Sequence, residues 1–194
     1  MTDTQKKPLW KNELVWLFLI TSGLFAILYS KFILGGYAYV FTDTGADTMQ
    51  INYAQYGLFS SLFRSGESGY VLQAGLGMDV SSYYPAYLIP YNLLILLAPQ
   101  RLLPWAVLAS AYLKMITISL VGYLFYRKLM QDGIGTMAAA LAWTFSGYVI
   151  LWGQHYGFCT CMALFTVFMY FLQCYLNGDC LLYTSPSPRD GLLS

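Results

Sequence analysis

Long apolar runs, separated by polar segments, set the pattern of this chain. A membrane-spanning helix needs about 20 largely apolar residues, and several runs reach or approach that length. They cover residues 14–34, 83–97, 103–126, 134–152 and 158–176. The pattern therefore predicts an all-α fold: a polytopic transmembrane helix bundle with about five spans, covering residues 14–179.

The first 13 residues carry the charges that orient the first span. Lys6, Lys7 and Lys11 precede the first apolar run, and cytoplasmic segments carry an excess of Lys and Arg. Residues 1–13 are therefore predicted to be a cytoplasmic N-terminus. The first run is too long for the apolar part of a cleavable signal peptide, so it is predicted to remain as a spanning helix.

The second run, residues 83–97, is short and contains Pro85 and Pro90. Proline kinks or breaks a helix interior. If all the runs cross the membrane, Arg127 and Lys128 lie on the outer face, against the positive-inside rule. Either the rule is broken locally or the second run does not cross completely, and the sequence leaves both alternatives open.

A polar segment, residues 35–82, follows the first span and is predicted to be exported. Its charged residues are mostly acidic: Asp43, Asp47, Arg64, Glu67 and Asp79. Apolar side chains recur in it at helical spacing, at Met49, Tyr53, Tyr56, Phe59 and Phe63. This periodicity predicts an amphipathic helix, residues 48–63, lying along the membrane surface. Several glycines between residues 66 and 77 then indicate an irregular loop.

Composition supports the membrane class and excludes others. The chain is 58% hydrophobic and 10% charged, whereas soluble domains carry about 25% charged residues. The net charge of +1 comes without a basic patch, so no nucleic-acid partner is predicted. The cysteines are predicted to be buried small side chains without disulfides. One histidine cannot complete a zinc site with them, so no metal site is predicted.

The sequence FTDTGADTMQ, residues 41–50, places Asp43 and Asp47 just beyond the first span. One interpretation is local: an Asx-turn at Asp43, and a capping box with Asp47 as the N-cap and Gln50 at the third helical position. The other is catalytic: a carboxylate takes a proton from an acceptor hydroxyl, or holds a metal, at the membrane surface. Since a capping carboxylate keeps one oxygen for other contacts, the two interpretations are compatible.

Three further residues are candidates for binding a substrate. Lys114 lies in the middle of the third span, where an ionisable side chain costs about 2.5–3.5 kcal/mol and suggests a function. It could face the phosphate of a lipid-linked substrate, or it could be a structural partner of a carbonyl or carboxylate group. Gln154 and His155 lie in WGQHYGF between the fourth and fifth spans, where Gln154 and the other neighbour of His155, Tyr156, suit a sugar or phosphate headgroup. A lone His at an interface is also a common hydrogen-bonding anchor.

The last residues, 180–194, have a different character, with closely spaced prolines and no helical period. The run CLLYTSPSPRD resembles translated read-through of a sequencing adapter. It is therefore interpreted as a non-native tail, so that the natural sequence continues differently after Asp179 and the chain is a fragment of a longer protein.

Four stretches carry a resemblance to a known family: FTDTGADTMQINYAQY, GLGMDVSSYYPAYLIPYNLL, LKMITISLVGYLFYRK and FSGYVILWGQHYGF. They resemble the N-terminal part of the YfhO family of bacterial membrane proteins, whose members are much longer. The resemblance implies a GT-C type glycosyltransferase fold in the plasma membrane. It also implies a sugar donor carried on polyprenyl phosphate and an envelope-polymer acceptor, such as a teichoic acid, on the outer face.

In such enzymes an acidic residue stands in the first exported loop, which here corresponds to Asp43 and Asp47. The resemblance implies no certain cofactor and leaves a divalent cation open. Two other classes compete: a transporter or flippase of lipid-linked saccharide, and a non-catalytic envelope assembly protein. An acid pair in an exported loop favours an enzyme, whereas one at mid-membrane would favour a transporter.

Overall fold

The computed structural model describes residues 12–41, 47–67, 69–72, 76–82, 89–130 and 132–178. Helices make up 79% of them, which confirms a helical bundle. The α-helices are α1 (Glu13–Leu28), α2 (Ser30–Leu34), α3 (Ala54–Ser65), α4 (Leu93–Leu97), α5 (Leu103–Leu129), α6 (Gly133–Thr144), α7 (Gly147–Trp152) and α8 (Tyr156–Leu176). A π-helix, Thr48–Tyr53, leads into α3, and short 3-10 turns cover Val80–Ser82, Pro90–Asn92 and Gln100–Leu102.

Three helical stretches in the described part of the chain are long and apolar enough to span a membrane. They are Gln100–Leu129, Gly133–Trp152 and Tyr156–Leu176, and they match the third, fourth and fifth predicted runs. The first run forms α1 and then α2, with a break at Tyr29. Helix α1 has 16 residues and is apolar but shorter than a full span.

The second predicted run is described only in part, because residues 83–88 lie outside the described ranges. The described remainder is the turn Pro90–Asn92 followed by α4, whose five residues extend roughly 7–8 Å at 1.5 Å per residue. Leu96 of α4 packs in one cluster with Phe59 and Leu62 of α3. The number of five spans therefore stays a prediction. The described part of this run packs against α3, in the polar segment that follows the first span.

Helix α5 lies at the centre of the bundle and packs against α1, α6 and α8. More than half of its most apolar stretch is buried in the bundle, against about a quarter for the other two long stretches. Short polar side chains join the helices: Thr21 to Ser119 at 2.7 Å between hydroxyls, and Trp143 Nε1 to Thr166 Oγ1 at 2.9 Å. Such small and polar contacts allow close approach where lipid provides no hydrophobic driving force.

The predicted amphipathic helix is present as the π-helix and α3. Tyr56 and Phe59 of its apolar face are buried in the bundle, whereas Met49 and Phe63 are 57% and 37% exposed. For Met49 the reason is local, since the i→i+5 bonds of a π-helix wind more widely than the 3.6-residue period on which the prediction rests. Its position along the membrane surface stays a prediction. The predicted irregular loop also contains a short antiparallel pair, β1 (Tyr70–Val71) and β2 (Met78–Asp79), with Tyr70 opposite Asp79.

The bundle has two ends with different contacts. At the end called here the Glu13 end, the Tyr123 hydroxyl of α5 donates to the Glu13 carboxylate of α1. Asp132 caps α6 there by accepting from the amides of Ile134 and Gly135, at 3.3 and 2.6 Å. Arg127 and Lys128 occupy the last turn of α5 and therefore lie at the same end.

The cysteine prediction holds in part. Cys159 and Cys174 on α8 are buried free thiols, whereas Cys161 is exposed, because it lies on the other side of the same helix. Cys180 lies outside the described residues, as does the rest of the 180–194 tail.

Candidate functional site

Asp43 lies outside the described residues, and Asp47 is half-buried directly before the π-helix. Asp47 is itself helical, with φ −57° and ψ −38°, and its side chain makes no capping hydrogen bond. The predicted capping box of Asp47 and Gln50 is therefore wrong, because an N-cap side chain reaches the first amides from a non-helical backbone. The Asp47 carboxylate is thus not used as a helix cap.

Thr48, next to Asp47, ties the acid segment to the turn between α7 and α8. Its side chain is fully buried, and its hydroxyl donates to the Gln154 carbonyl at 3.2 Å. This hydrogen bond joins residues 106 positions apart. The fold therefore brings Asp47 and the predicted binding residue Gln154 into one neighbourhood, called here the Tyr156 end of the bundle.

His155, the second predicted binding residue of this turn, is half-buried among aromatic rings. Its ring centroid lies 5.7 Å from that of Trp152 and 5.6 Å from that of Phe158. This packing holds the imidazole at the edge of the turn, as expected for an anchor. Because the side chain is also partly exposed, it remains accessible to a headgroup.

A cluster of tyrosines closes the Tyr156 end beneath the turn. The Tyr156 hydroxyl donates to the Tyr39 carbonyl, and the Tyr156 ring stacks on Tyr56 with centroids 5.4 Å apart. The Tyr39 ring lies edge-on to Tyr29 at 5.3 Å. All four side chains are buried, so segments from three parts of the chain meet in one aromatic core.

The Tyr39 phenol does not supply a base. Burial is the main cause that raises its pKa far above the usual range, and the neighbouring Tyr29 phenol adds to the shift. The side chain therefore stays neutral at physiological pH. Among the described residues of this end, Asp47 is the better candidate for accepting a proton.

Lys114 reaches the same end from the middle of α5. Its side chain is 2% exposed, and its ammonium group donates to the Tyr156 carbonyl at 3.1 Å. Within the described ranges it makes no ion pair with a carboxylate. Lys114 therefore acts on the turn through the backbone at the start of α8, and its enclosed position offers no room for a phosphate group.

Asp79 offers a comparison for Asp47, because it is an acidic residue of the same segment that lies away from the tyrosine cluster. It is exposed beside the turn Val80–Ser82, where the Ser81 hydroxyl and amide donate to it at 2.6 and 3.0 Å. These hydrogen bonds lower the pKa of the Asp79 carboxyl. Its carboxylate bonds to the neighbouring Ser81, so Asp79 is a suitable reference for the acid pair.

In the described ranges, no three His, Cys, Asp or Glu side chains lie together as metal ligands would. The structure also adds two residues that the sequence did not single out, Thr48 and Tyr39. The signal of Tyr39 was weak, because Tyr is abundant along the chain and its apolar ring is equally suited to any membrane interface. Tyr156, which the sequence grouped with Gln154 as suited to a headgroup, is buried here and bonds to the Tyr39 carbonyl.

Comparisons with protein-family models, with curated proteins and with solved structures gave no match to this chain. The structure supports a coarser class: a helical bundle that contains, in its described part, three helical stretches long and apolar enough to span a membrane. At one end of this bundle, a half-buried carboxylate stands beside a turn that carries amide and imidazole side chains. Such an end can take a proton from a hydroxyl and hydrogen-bond a polar headgroup.

Proposed function

We propose that this chain contributes the acid-bearing end of a membrane glycosyltransferase of the YfhO, GT-C type. The enzyme would transfer a sugar from a polyprenyl-phosphate donor to an envelope polymer on the outer face of the bacterial plasma membrane. One observation carries the proposal: the hydrogen bond from Thr48 to the Gln154 carbonyl. It places the acid segment against the turn for which the sequence predicts substrate binding.

The proposal includes an orientation with four crossings in this part of the chain: α1 with α2, α5, α6 with α7, and α8. The Tyr156 end then faces outward and the Glu13 end faces the cytoplasm. This orientation puts Arg127 and Lys128 inside, in agreement with the positive-inside rule. It removes the conflict at Arg127 and Lys128, and it places Arg101, directly before α5, on the outer face. In this orientation α4, which packs on α3, lies at the outer surface instead of crossing.

The transfer needs a base at the acceptor and a cation at the leaving group. Asp43 or Asp47 would take the proton of the acceptor hydroxyl while its oxygen bonds to the sugar's anomeric carbon. The bond from that carbon to the phosphate oxygen breaks, and polyprenyl phosphate leaves with the electron pair. The enclosed Lys114 does not reach that phosphate, so a residue outside the described ranges or a divalent cation would stabilise it.

The experiment replaces the acids in the longer protein that the resemblance implies. In Asp43→Asn and Asp47→Asn, we expect one variant to transfer labelled sugar in isolated membranes roughly 10²–10⁴-fold more slowly, the loss typical of a missing general base. Asp79→Asn is the matched control, because it removes a carboxylate of the same segment that has local partners, and it should keep full activity.

The proposal fails if both acid variants retain envelope glycosylation while deletion of the protein abolishes it. That result would instead support the non-catalytic assembly protein. Immunoblotting of the membranes must show equal amounts of each variant, so that a loss of transfer is not a loss of protein.

One observation favours the transporter alternative. The stretch Gly133–Trp152 is interrupted at Phe145 and Ser146, between α6 and α7, and discontinuous helices line many transporter sites. A flippase would move a fluorescent lipid-linked saccharide between the leaflets of proteoliposomes without cleaving it. Translocation that persists in both Asn variants would favour this alternative over the transferase.

A further inference from the structure

A small enclosed cavity lies beside Lys114, at the junction of α5, α8 and the tyrosine cluster. It leaves about 10 Å³ for the centre of a water-sized sphere, which is room for roughly one water molecule. Its polar lining comes from Ser110, Lys114, Tyr29, Tyr39, Tyr56 and Tyr156. The rest of the lining is apolar, including Val107, Met115 and Val149. The cavity therefore has one polar side, on which a single small polar molecule could find hydrogen-bonding partners.

Ser110 has a hydroxyl that makes no hydrogen bond within the described ranges, although the residue is 1% exposed. Other hydroxyls in these helices donate to the carbonyl four residues earlier, as Thr117 does at 2.9 Å and Thr144 at 2.7 Å. Ser110 lines the cavity and forgoes that bond. Since a buried hydroxyl without a partner is strongly destabilising, its position indicates a partner in the cavity.

Lys114 also has donors to spare. Its ammonium group carries three N–H donors, and the Tyr156 carbonyl at 3.1 Å accepts one of them. Ser110 stands four residues earlier, on the same face of α5. An ammonium group cannot accept, whereas a hydroxyl can donate as well as accept. Both side chains line the same one-water cavity and each has a donor to spare, so an acceptor inside it would meet donors from both.

We propose that this cavity binds one small hydrogen-bond acceptor, a water molecule or a chloride ion, between Lys114 Nζ and Ser110 Oγ. The converging donors exclude a metal cation, and the volume excludes a phosphate or a sugar. The bound acceptor holds the ammonium group against the Tyr156 carbonyl and so stabilises the first residue of α8. The site stands apart from the proposed transfer activity, because it needs neither acid of the pair.

The first test is the sign of a change in melting temperature, measured on the 194-residue chain in detergent micelles. If Ser110 binds the acceptor, Ser110→Ala removes a hydrogen bond and lowers the melting temperature, by about 2–4 °C for a chain of this length. Ser146→Ala is the matched control: the Ser146 hydroxyl is also buried without a partner in the described ranges and does not line this cavity. Its removal should leave the melting temperature unchanged or raise it.

A rise in melting temperature for Ser110→Ala, like that of the control, would show an orphaned hydroxyl over a dry cavity and would overturn the proposal. A second variant guards against a purely local effect. Lys114→Met removes the other donor, so Ser110→Ala should change the melting temperature less in that background than in the wild type. Full additivity of the two substitutions would contradict a shared ligand.

The two possible ligands are distinguished by salt. Melting is repeated with sodium chloride replaced by sodium gluconate at equal ionic strength, since gluconate does not fit the cavity. A chloride ligand predicts a higher melting temperature in chloride for the wild type and loss of that difference in Lys114→Met. A water ligand predicts the same melting temperature in both salts, together with the loss in Ser110→Ala.

Discussion

The Tyr156 end and the Glu13 end of the bundle are built in different ways. At the Tyr156 end, buried groups from distant parts of the chain meet: Thr48 bonds to Gln154, and Tyr156 bonds to Tyr39. At the Glu13 end, residues distant in sequence also meet, but the bond from the buried Tyr123 ends on the half-buried Glu13 carboxylate, and Asp132 caps α6 locally. Enclosed hydrogen bonds are expensive to lose, whereas boundary groups exchange their partner for water.

The difference shows which end of the bundle is held more rigidly by buried packing and hydrogen bonds. A proton acceptor must be held near its substrate, and tightly packed, hydrogen-bonded residues around it can hold it there. The Tyr156 end has such support from stacked rings and from Lys114, whereas the Glu13 end has the features of a helix boundary at headgroups. The contrast is what would be expected if one end carries the function and the other anchors the bundle.

The largest difference between the two ends should be in their accessibility from outside the cell, because they are proposed to lie on opposite sides of the membrane. In a background with the native cysteines replaced by alanine, Gln154→Cys should react with a membrane-impermeant maleimide in intact bacterial cells. Lys128→Cys should react with the same maleimide only after the cells have been permeabilised. The opposite pattern would restore five crossings with Arg127 and Lys128 outside, and would contradict the proposed orientation.

The next effect compares two tyrosine hydroxyls. Tyr156→Phe leaves the Tyr39 carbonyl without its buried donor and should lower the free energy of unfolding by about 1–3 kcal/mol. Tyr123→Phe removes a donor to the half-buried Glu13 carboxylate. Hydrogen bonds to charged groups contribute about 1.5–3 kcal/mol, and because water can replace this donor, a loss at or below the lower end of that range is expected. Reversible unfolding in mixed micelles measures both values. Equal losses would mean that the two ends are equally enclosed.

The smallest effect concerns Asp79, an exposed carboxylate with local partners. Hydrogen bonds from the Ser81 hydroxyl and amide hold its folded pKa below the ordinary value of 3.8. A lowered folded pKa stabilises the fold above the unfolded pKa, and this contribution is lost as the pH falls through the folded pKa. The melting temperature should therefore fall slightly more for the wild type than for Asp79→Asn below about pH 4. If the melting temperatures of the two proteins changed identically with pH, the hydrogen bonds from Ser81 would not be what stabilises the ionised Asp79.

Much of the helical architecture follows from the order of the residues. Runs of about 20 apolar residues must form helices in a bilayer, because every backbone amide and carbonyl group has to be paired internally. For that reason the third and fifth runs match α5 and α8 closely, and 14–34 and 134–152 match pairs of shorter helices. The amphipathic helix was also predictable, since Tyr56 and Phe59 keep the helical period.

Three features required the tertiary structure. The winding of the π-helix exposes Met49 and makes Asp47 helical, which no 3.6-residue period announces. The position of α4 depends on its packing against α3, and its short apolar run equally suits a membrane span. Lys114 donates to the backbone carbonyl of Tyr156. Because every residue has a backbone carbonyl, the sequence cannot indicate which one accepts.

The sequence by itself determined that this is a helical protein with runs long and apolar enough to span a membrane, and with an acidic segment after its first apolar run. Its hydrophobic period and charge distribution are local quantities, and local physics is enough to fix them. Only the tertiary structure decided that this segment meets the turn before α8, 106 residues away at the hydrogen bond from Thr48 to Gln154. That meeting depends on how α5 packs between α1 and α8, which is a property of side-chain shape across the whole bundle.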